Sequence, residues 1–403
     1  MQARFQKTKK ASAKYVHFLS KPESNYFLIL TCVGFLSGLG LVMVLSASAV
    51  HSFEQNGSTF SIFIKQVLFM TLGIGIGYIA MRLPIERWSS ITKIALPIAA
   101  VTLILPMAPG LGVTVNGNRN WIGLGPITIQ PSELAKFFLI LWAAMQLRRH
   151  HERLERDIQS NPAISLAGGS AIVLGLIMLG KDLGTAAIVA GIIVGMLFVS
   201  GIKTTHITFT VAILGALGAG FTLTHTNRMR RFTAILDPFA PSVYKFAGWQ
   251  PAHSLMGLAS GGLFGVGIGA SRQKWANLSE AHTDFIFSVI GEEMGLLGTL
   301  LVLFTYAVLI FAIFRVAMNT KELFAKFAVI GIISWLTLQI VINIGTNVSL
   351  IPVIGVTLPF ISYGGSSLVA NYVAIGFVLN VVRRDPELQK VLKANKLARR
   401  EKA

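Results

Sequence analysis

The chain has 403 residues, of which 53% are hydrophobic and only 13% charged, with a mean hydropathy of +0.66. A water-soluble domain carries about 25% charged residues, so a soluble globular fold is excluded and an integral membrane protein is indicated. The net charge of +18 argues for membrane orientation and against nucleic acid, because most of the 35 lysines and arginines gather in the loops on one side of a series of apolar stretches.

A helix needs about 20 apolar residues to cross a bilayer. In chain order, residues 1–25 are a basic, polar segment with no cleavable signal pattern. Ten apolar stretches follow, at 26–45, 60–81, 91–107, 134–147, 164–179, 185–199, 207–223, 285–314, 327–344 and 366–382. The expected fold is therefore an all-α polytopic membrane domain over 26–382, followed by a basic tail at 383–403. Ten spans place both termini on one side. The Lys/Arg-rich loops make that side cytoplasmic, where the tail would lie on anionic lipid or dock a partner. The external loops 108–132 and 225–283 are long, and the second joins helices 7 and 8. Loops of that length are usually functional or disordered. Their tryptophans and glycines argue for folded caps on the outer face, partly as short re-entrant or interfacial helices. The single cysteine, Cys32, excludes a disulfide or a cysteine metal site within one chain.

Several polar groups interrupt the apolar pattern. Gln130-Pro131-Ser132-Glu133 is a helix start, with Glu133 and Lys136 three apart on one face. They form either a structural ion pair or, through Lys136, a contact with an anionic ligand. Asp182, before Leu183-Gly184-Thr185, suits a helix cap. Arg228, Arg230 and Arg231 form the densest external positive patch, fitted either to lipid headgroups or to phosphate. The glycine run from Ser260 to Gly269 permits close packing or, less specifically, a phosphate nest. Asp284 opens the eighth span with Arg272, Lys274, Glu280 and His282 close by in sequence. It is either a helix cap or a general base. An ionisable group at the edge of a span is a functional candidate. Glu292 and Glu293 fall about 12 Å deeper at 1.5 Å per residue and need partners or a wet cavity. The segment 343–367, interrupted by Asn343, Asn347, two prolines and four glycines, would line the same external cavity as Asp284.

Taken together these segments resemble the shape, elongation, division and sporulation (SEDS) family. The resemblance is carried by Gln130-Pro131-Ser132-Glu133 with Lys136, Asp182-Leu183-Gly184-Thr185, Gly248-Trp249-Gln250, Ser260-Gly261-Gly262, Glu280-Ala281-His282-Thr283-Asp284-Phe285-Ile286-Phe287, Gly291-Glu292-Glu293 and Pro359-Phe360-Ile361-Ser362-Tyr363-Gly364-Gly365-Ser366-Ser367. One departure is Asn120, which stands before Trp121 where the family pattern has a basic residue. The resemblance implies a ten-helix fold with cytoplasmic termini and a peptidoglycan glycosyltransferase that polymerises lipid II on the outer face of the cell membrane. The Glu280–Phe287 run leans toward the division branch and a septal location. An elongation role and lipid II transport are the alternatives.

The resemblance further implies that Asp284 is the catalytic residue and takes the proton of the acceptor sugar hydroxyl. Lys136, Arg228, Arg230, Arg231, Lys274, His282 and Ser366 would contact substrate, and Glu133, Asp182, Glu280 and Glu292 would support them. A divalent cation (Mg or Mn) at the substrate pyrophosphate is compatible with this chemistry, although no residues mark its site. The implied partners are a class B penicillin-binding transpeptidase and other divisome proteins.

Overall fold

The computed structural model describes residues 22–390 apart from 116–117, 126, 159, 224–225, 276 and 387. The basic N-terminal segment up to position 21 and the tail beyond 390 lie outside the described residues. Three helices come first, α1 (Pro22–Asn56), α2 (Ser61–Arg82) and α3 (Ile85–Ile104). A single 3-10 turn then leads into β1 (Gly112–Val115), β2 (Asn118–Leu124) and β3 (Ile127–Ile129). Next come α4 (Pro131–Leu154), α5 (Pro162–Leu179), α6 (Leu183–Val199), α7 (Thr204–Leu223), α8 (Thr226–Leu236) and α9 (Trp249–Ser260). The chain closes with α10 (Ile286–Asn319), α11 (Leu323–Asn347) and α12 (Gly365–Arg383).

Eight of these helices are long and apolar enough to span a membrane, and α6 is a shorter apolar helix. The 24-residue α4 is less apolar because it carries Glu133, Lys136 and a basic last turn. Those ten correspond one to one with the ten expected stretches, and most run longer than their apolar cores. Helix starts follow local chemistry. Pro131 occupies the first turn of α4, where its missing N–H removes no bond. Asn161 caps α5 and Glu322 caps α11 through their side-chain oxygens. The cytoplasmic ends meet, because Asn25 of α1 and Arg384 after α12 line one cavity of about 440 Å³.

The core is built on α10, α11 and α12. The central helix α12 is almost wholly buried, whereas α7 lies at the edge with nearly all of its surface uncovered. Where α2 crosses α12 the backbones approach closely. A Cβ on Gly77 would sit 2.6 Å from the Tyr372 carbonyl oxygen, and one on Gly376 would sit 2.2 Å from that of Gly77. Lipid supplies no hydrophobic drive between helices, so such small-residue contacts carry the packing.

Helix α10 is broken at Gly295 (φ 69°, ψ −166°), a conformation reserved for glycine. Glycine-rich chain after α9 repairs the break. Val266 and Gly267 donate their amides to the carbonyls of Glu292 (2.9 Å) and Glu293 (3.1 Å). Leu296 and Leu297 donate to Gly262 (2.9 Å) and Leu263 (3.2 Å). Unsatisfied backbone groups are costly at membrane depth, so this exchange explains the glycine run. A Cβ on Gly265 would lie 2.2 Å from the Glu293 carbonyl oxygen. The run is thus a re-entrant packing device, and its amides face the helix.

The outer face departs from expectation in one place. The first external loop holds a three-stranded antiparallel sheet in the order β1-β2-β3, with Val113 opposite Trp121 and Ile122 opposite Ile129. Its short β-branched runs and the turn at Gly125 (φ 63°) favour strands over an interfacial helix. The second loop does carry short helices, α8 and α9.

Candidate active site

Asp284 stands two residues before α10, whose cap position is held by Phe285 without a side-chain cap. The residue is half-buried, and its carboxylate has no hydrogen-bond partner among the described residues. Its main-chain carbonyl is held instead, accepting from Asn343 Nδ2 (2.8 Å) and Asn347 Nδ2 (2.9 Å) on successive turns of α11.

Four parts of the chain converge on this acid. The α11–α12 connection brings Gly355 (φ 73°), at which a Cβ would lie 3.6 Å from Asp284 Oδ2. Two residues earlier, the Val353 carbonyl accepts from Arg231 Nη1 (2.8 Å), anchoring an α8 guanidinium near the carboxylate. Glu280 is held by Thr283 Oγ1, which donates to Glu280 Oε2 (2.8 Å). Ser362 Oγ donates to the Thr283 carbonyl (2.5 Å), and the Tyr363 amide donates to that of His282 (2.9 Å), tying segment 280–284 to the α11–α12 connection. The His282 ring lies 5.3 Å from that of His51 on α1 and 5.6 Å from Tyr363.

The electrostatics follow from that enclosure. Burial, reinforced by the Glu280 carboxylate and opposed by the Arg231 guanidinium, pushes the Asp284 carboxyl up to about 7. Burial brings the His282 imidazole down to about 4, with Glu280 opposing and His51 adding to the effect. His282 is therefore neutral at physiological pH. Asp284 is poised between its two forms, as a general base operating near neutrality requires.

The remaining expected residues are dispersed. Arg230 lies over the Phe246 ring, 5.7 Å from its centroid, on the exposed side of α8, while the Arg228 side chain lies outside the described residues. Lys136 is fully buried, donating to Glu133 Oε1 (2.9 Å) and sitting 4.9 Å from the Trp335 ring centroid. Its charge is thus engaged inside the bundle and turned away from any external anion. Lys274 is likewise engaged, since its ammonium lies 3.7 Å from Glu293 Oε1 and donates to the Gly269 carbonyl. Ser366 is buried and accepts from the Gln130 amide (3.1 Å).

Asp182 caps α6. Its Oδ1 accepts from Thr185 N (2.9 Å), and its Oδ2 from Thr185 Oγ1 (2.8 Å), Asn120 Nδ2 (2.7 Å) and Gln130 Nε2 (3.0 Å). It staples the small sheet to the bundle, and Asn120, the departure noted above, is one of its donors. Glu292 accepts from Ser271 Oγ (2.5 Å) and the Arg272 amide (3.0 Å), and Glu293 from Ser46 Oγ (2.6 Å). Both glutamates fasten the re-entrant loop to α10. Among the described residues no three His, Cys, Asp or Glu side chains are placed to hold a metal ion.

Asn343, Asn347, Gly355 and Tyr363 all fall in the segment 343–367 expected beside Asp284. The spacing of four between the asparagines puts two carboxamides on one face of α11, where both reach the Asp284 carbonyl. His51 gives no such signal, because long-range packing alone brings α1 against His282.

A family model described as cell cycle protein, FTSW_RODA_SPOVE, matches residues 26–386. The chain is 38% identical over 357 residues to a "Probable peptidoglycan glycosyltransferase FtsW" of Coxiella burnetii, covering 88% of this chain and 95% of that one. It is 36% identical over 366 residues to stage V sporulation protein E of Bacillus subtilis, covering 90% and 98%. Among solved structures, a chain of a peptidoglycan synthase complex that coordinates polymerization and crosslinking superposes with a TM-score of 0.68 at 27% identity, covering 88% of this chain and 96% of that one. The rod shape determining protein RodA of Thermus thermophilus superposes with a TM-score of 0.63 at 28% identity, covering 88% and 95%.

Proposed function

This chain belongs to the FtsW/RodA/SpoVE family of membrane peptidoglycan glycosyltransferases, and on that footing we propose that it polymerises lipid II on the outer face of the cytoplasmic membrane with Asp284 as general base. The acceptor sugar 4-hydroxyl attacks the anomeric carbon of the donor sugar. A C–O glycosidic bond forms, the bond from that carbon to the pyrophosphate oxygen breaks, and the hydroxyl proton passes to Asp284. The undecaprenyl pyrophosphate departs with the bonding electron pair. Arg231 supplies positive charge on the side where that group leaves. Meeting developing charge with fixed cations is a principal source of catalysis. His282, neutral and buried, packs beside the site against the His51 and Tyr363 rings.

One observation carries this reading. Asp284 is half-buried, its carboxylate has no hydrogen-bond partner among the described residues, and that carboxyl is raised to about 7 beside the Arg231 guanidinium. A carboxylate held there only to cap a helix would be hydrogen-bonded and low. The septal assignment is supported by relatives named FtsW, and a class B transpeptidase partner by the likeness to a synthase complex.

The test is polymer formation from lipid II by the purified chain in detergent, with and without such a transpeptidase. Asp284→Asn is expected to remove roughly 10²–10⁴-fold of the rate while leaving the melting transition in place. Wild-type turnover by that variant would sink the proposed role. Lipid II movement across vesicles, without polymer under any condition, would favour transport. Depleting the chain in cells should block septation and spare elongation; a rounding phenotype would reverse the branch assignment.

A further inference from the structure

The first hydrogen bond that α10 could make is not made. In a helix beginning at Asp284, the Asp284 carbonyl would accept from the Ser288 amide four residues on. The Ser288 amide goes instead to the Phe285 carbonyl (3.0 Å) and to Asn347 Oδ1 (3.1 Å). The Asp284 carbonyl accepts from Asn347 Nδ2 (2.9 Å) and Asn343 Nδ2 (2.8 Å). One carboxamide therefore stands between the two ends of a broken helical bond, giving its donor to one and its acceptor to the other.

The insertion is firmly built. Asn347 is fully buried and Asn343 nearly so. Asn347 Nδ2 also donates to the Asn343 carbonyl (2.9 Å), and Asn347 Oδ1 accepts from Ser288 Oγ (2.8 Å). Its main-chain carbonyl accepts from Ser254 Oγ of α9 (2.6 Å), whose hydroxyl also contacts that of Ser288. Asn343 reaches on to the Val356 carbonyl (2.6 Å), next to Gly355 at the carboxylate. Three helices and the α11–α12 connection are thereby fixed around one main-chain oxygen.

We infer that Asn347, supported by Asn343, is a positioning residue that holds Asp284 out of the helix and so keeps its carboxylate available to substrate. Were the carboxamide absent, the Asp284 carbonyl could close onto the Ser288 amide and Asp284 would become the helix cap. Its carboxylate would then turn onto the Phe287 amide, as Asp182 turns onto Thr185 three residues on. Hydrogen bonding to a carboxylate favours the charged form and weakens the base. The charged groups acting on Asp284 are Glu280 on its own segment and Arg231 from α8, and the titratable groups next to them are His282, with His51 from α1 and Tyr363 from the α11–α12 connection packed on its ring. None of them is altered by a change at Asn347.

This inference rests on the proposed role of Asp284, so Asp284→Asn is measured in parallel; wild-type turnover by that variant overturns both. For Asn347→Ala, the full chain with its transpeptidase partner is assayed on lipid II from pH 5 to 9. The expected result is a fall in kcat of roughly tenfold or more with KM little changed, and an acid limb displaced downward by about one pH unit. A fall in kcat with the acid limb unmoved would make Asn347 merely structural and overturn the inference, leaving the base role of Asp284 intact. Should Asn347→Ala fail to fold, Asn347→Asp keeps the acceptor for Ser288. In that variant the acid limb should stay or rise, and a downward displacement would overturn the inference.

Discussion

Two aspartates lie at helix starts on the outer face, and the structure treats them in opposite ways. Asp182 is buried and accepts four hydrogen bonds, two from Thr185 and one each from Asn120 and Gln130. Asp284 is half-buried and its carboxylate accepts none among the described residues. The difference lies in what surrounds each helix start. At α6 the aspartate itself accepts from a free helix amide, that of Thr185. At α10 a carboxamide from another helix intervenes and the acid is left over. A carboxylate tied to amides is a structural part, whereas one enclosed without them keeps its capacity to take a proton.

The largest expected contrast is in rate. Asp284→Asn should remove roughly 10²–10⁴-fold of polymerisation with little change in the melting transition. Asp182→Asn should do the reverse, lowering stability by about 1–3 kcal/mol in detergent melts while the folded fraction still makes polymer. Equal losses of rate in both variants would erase the distinction. A smaller effect is expected in the pH profile. With the Asp284 carboxyl at about 7, the wild-type rate should rise with pH through neutrality, because only the ionised form accepts a proton. Glu280→Gln removes an acidic neighbour that raises this group, so the acid limb should move to lower pH. An unmoved or rising limb would mean that another group controls the profile. The smallest effect belongs to Asn120→Ala, which removes one of the four donors to Asp182. A loss of about 1 kcal/mol of stability, with no shift of the acid limb, is the expected reading.

The same contrast explains which site residues were legible in the sequence. Asp182 and Asp284 both stand out as acids beside apolar runs, and the first announces itself as a cap because Thr185 follows at cap spacing. The pairing of Glu133 with Lys136 is equally local. The partners of Lys274, Glu292 and Glu293 are not local, because they meet only when the re-entrant glycine run packs on the break at Gly295. The external sheet was missed for a related reason. Its strands are three to seven residues long, too short to set a period against the surrounding turn residues.

The sequence by itself determined the class of the protein, its ten apolar stretches, the charge asymmetry of the loops between them and the acid proposed as the base. Hydropathy and loop charge are additive and local, and lipid forces each apolar span to bond to itself. Only the tertiary structure decided which charges are free. Whether a side chain is engaged depends on residues far away in the chain, as Asn347 and Asp284 show across an opened helical bond. Those contacts separate a carboxylate that braces the fold from one left without a hydrogen bond among the described residues.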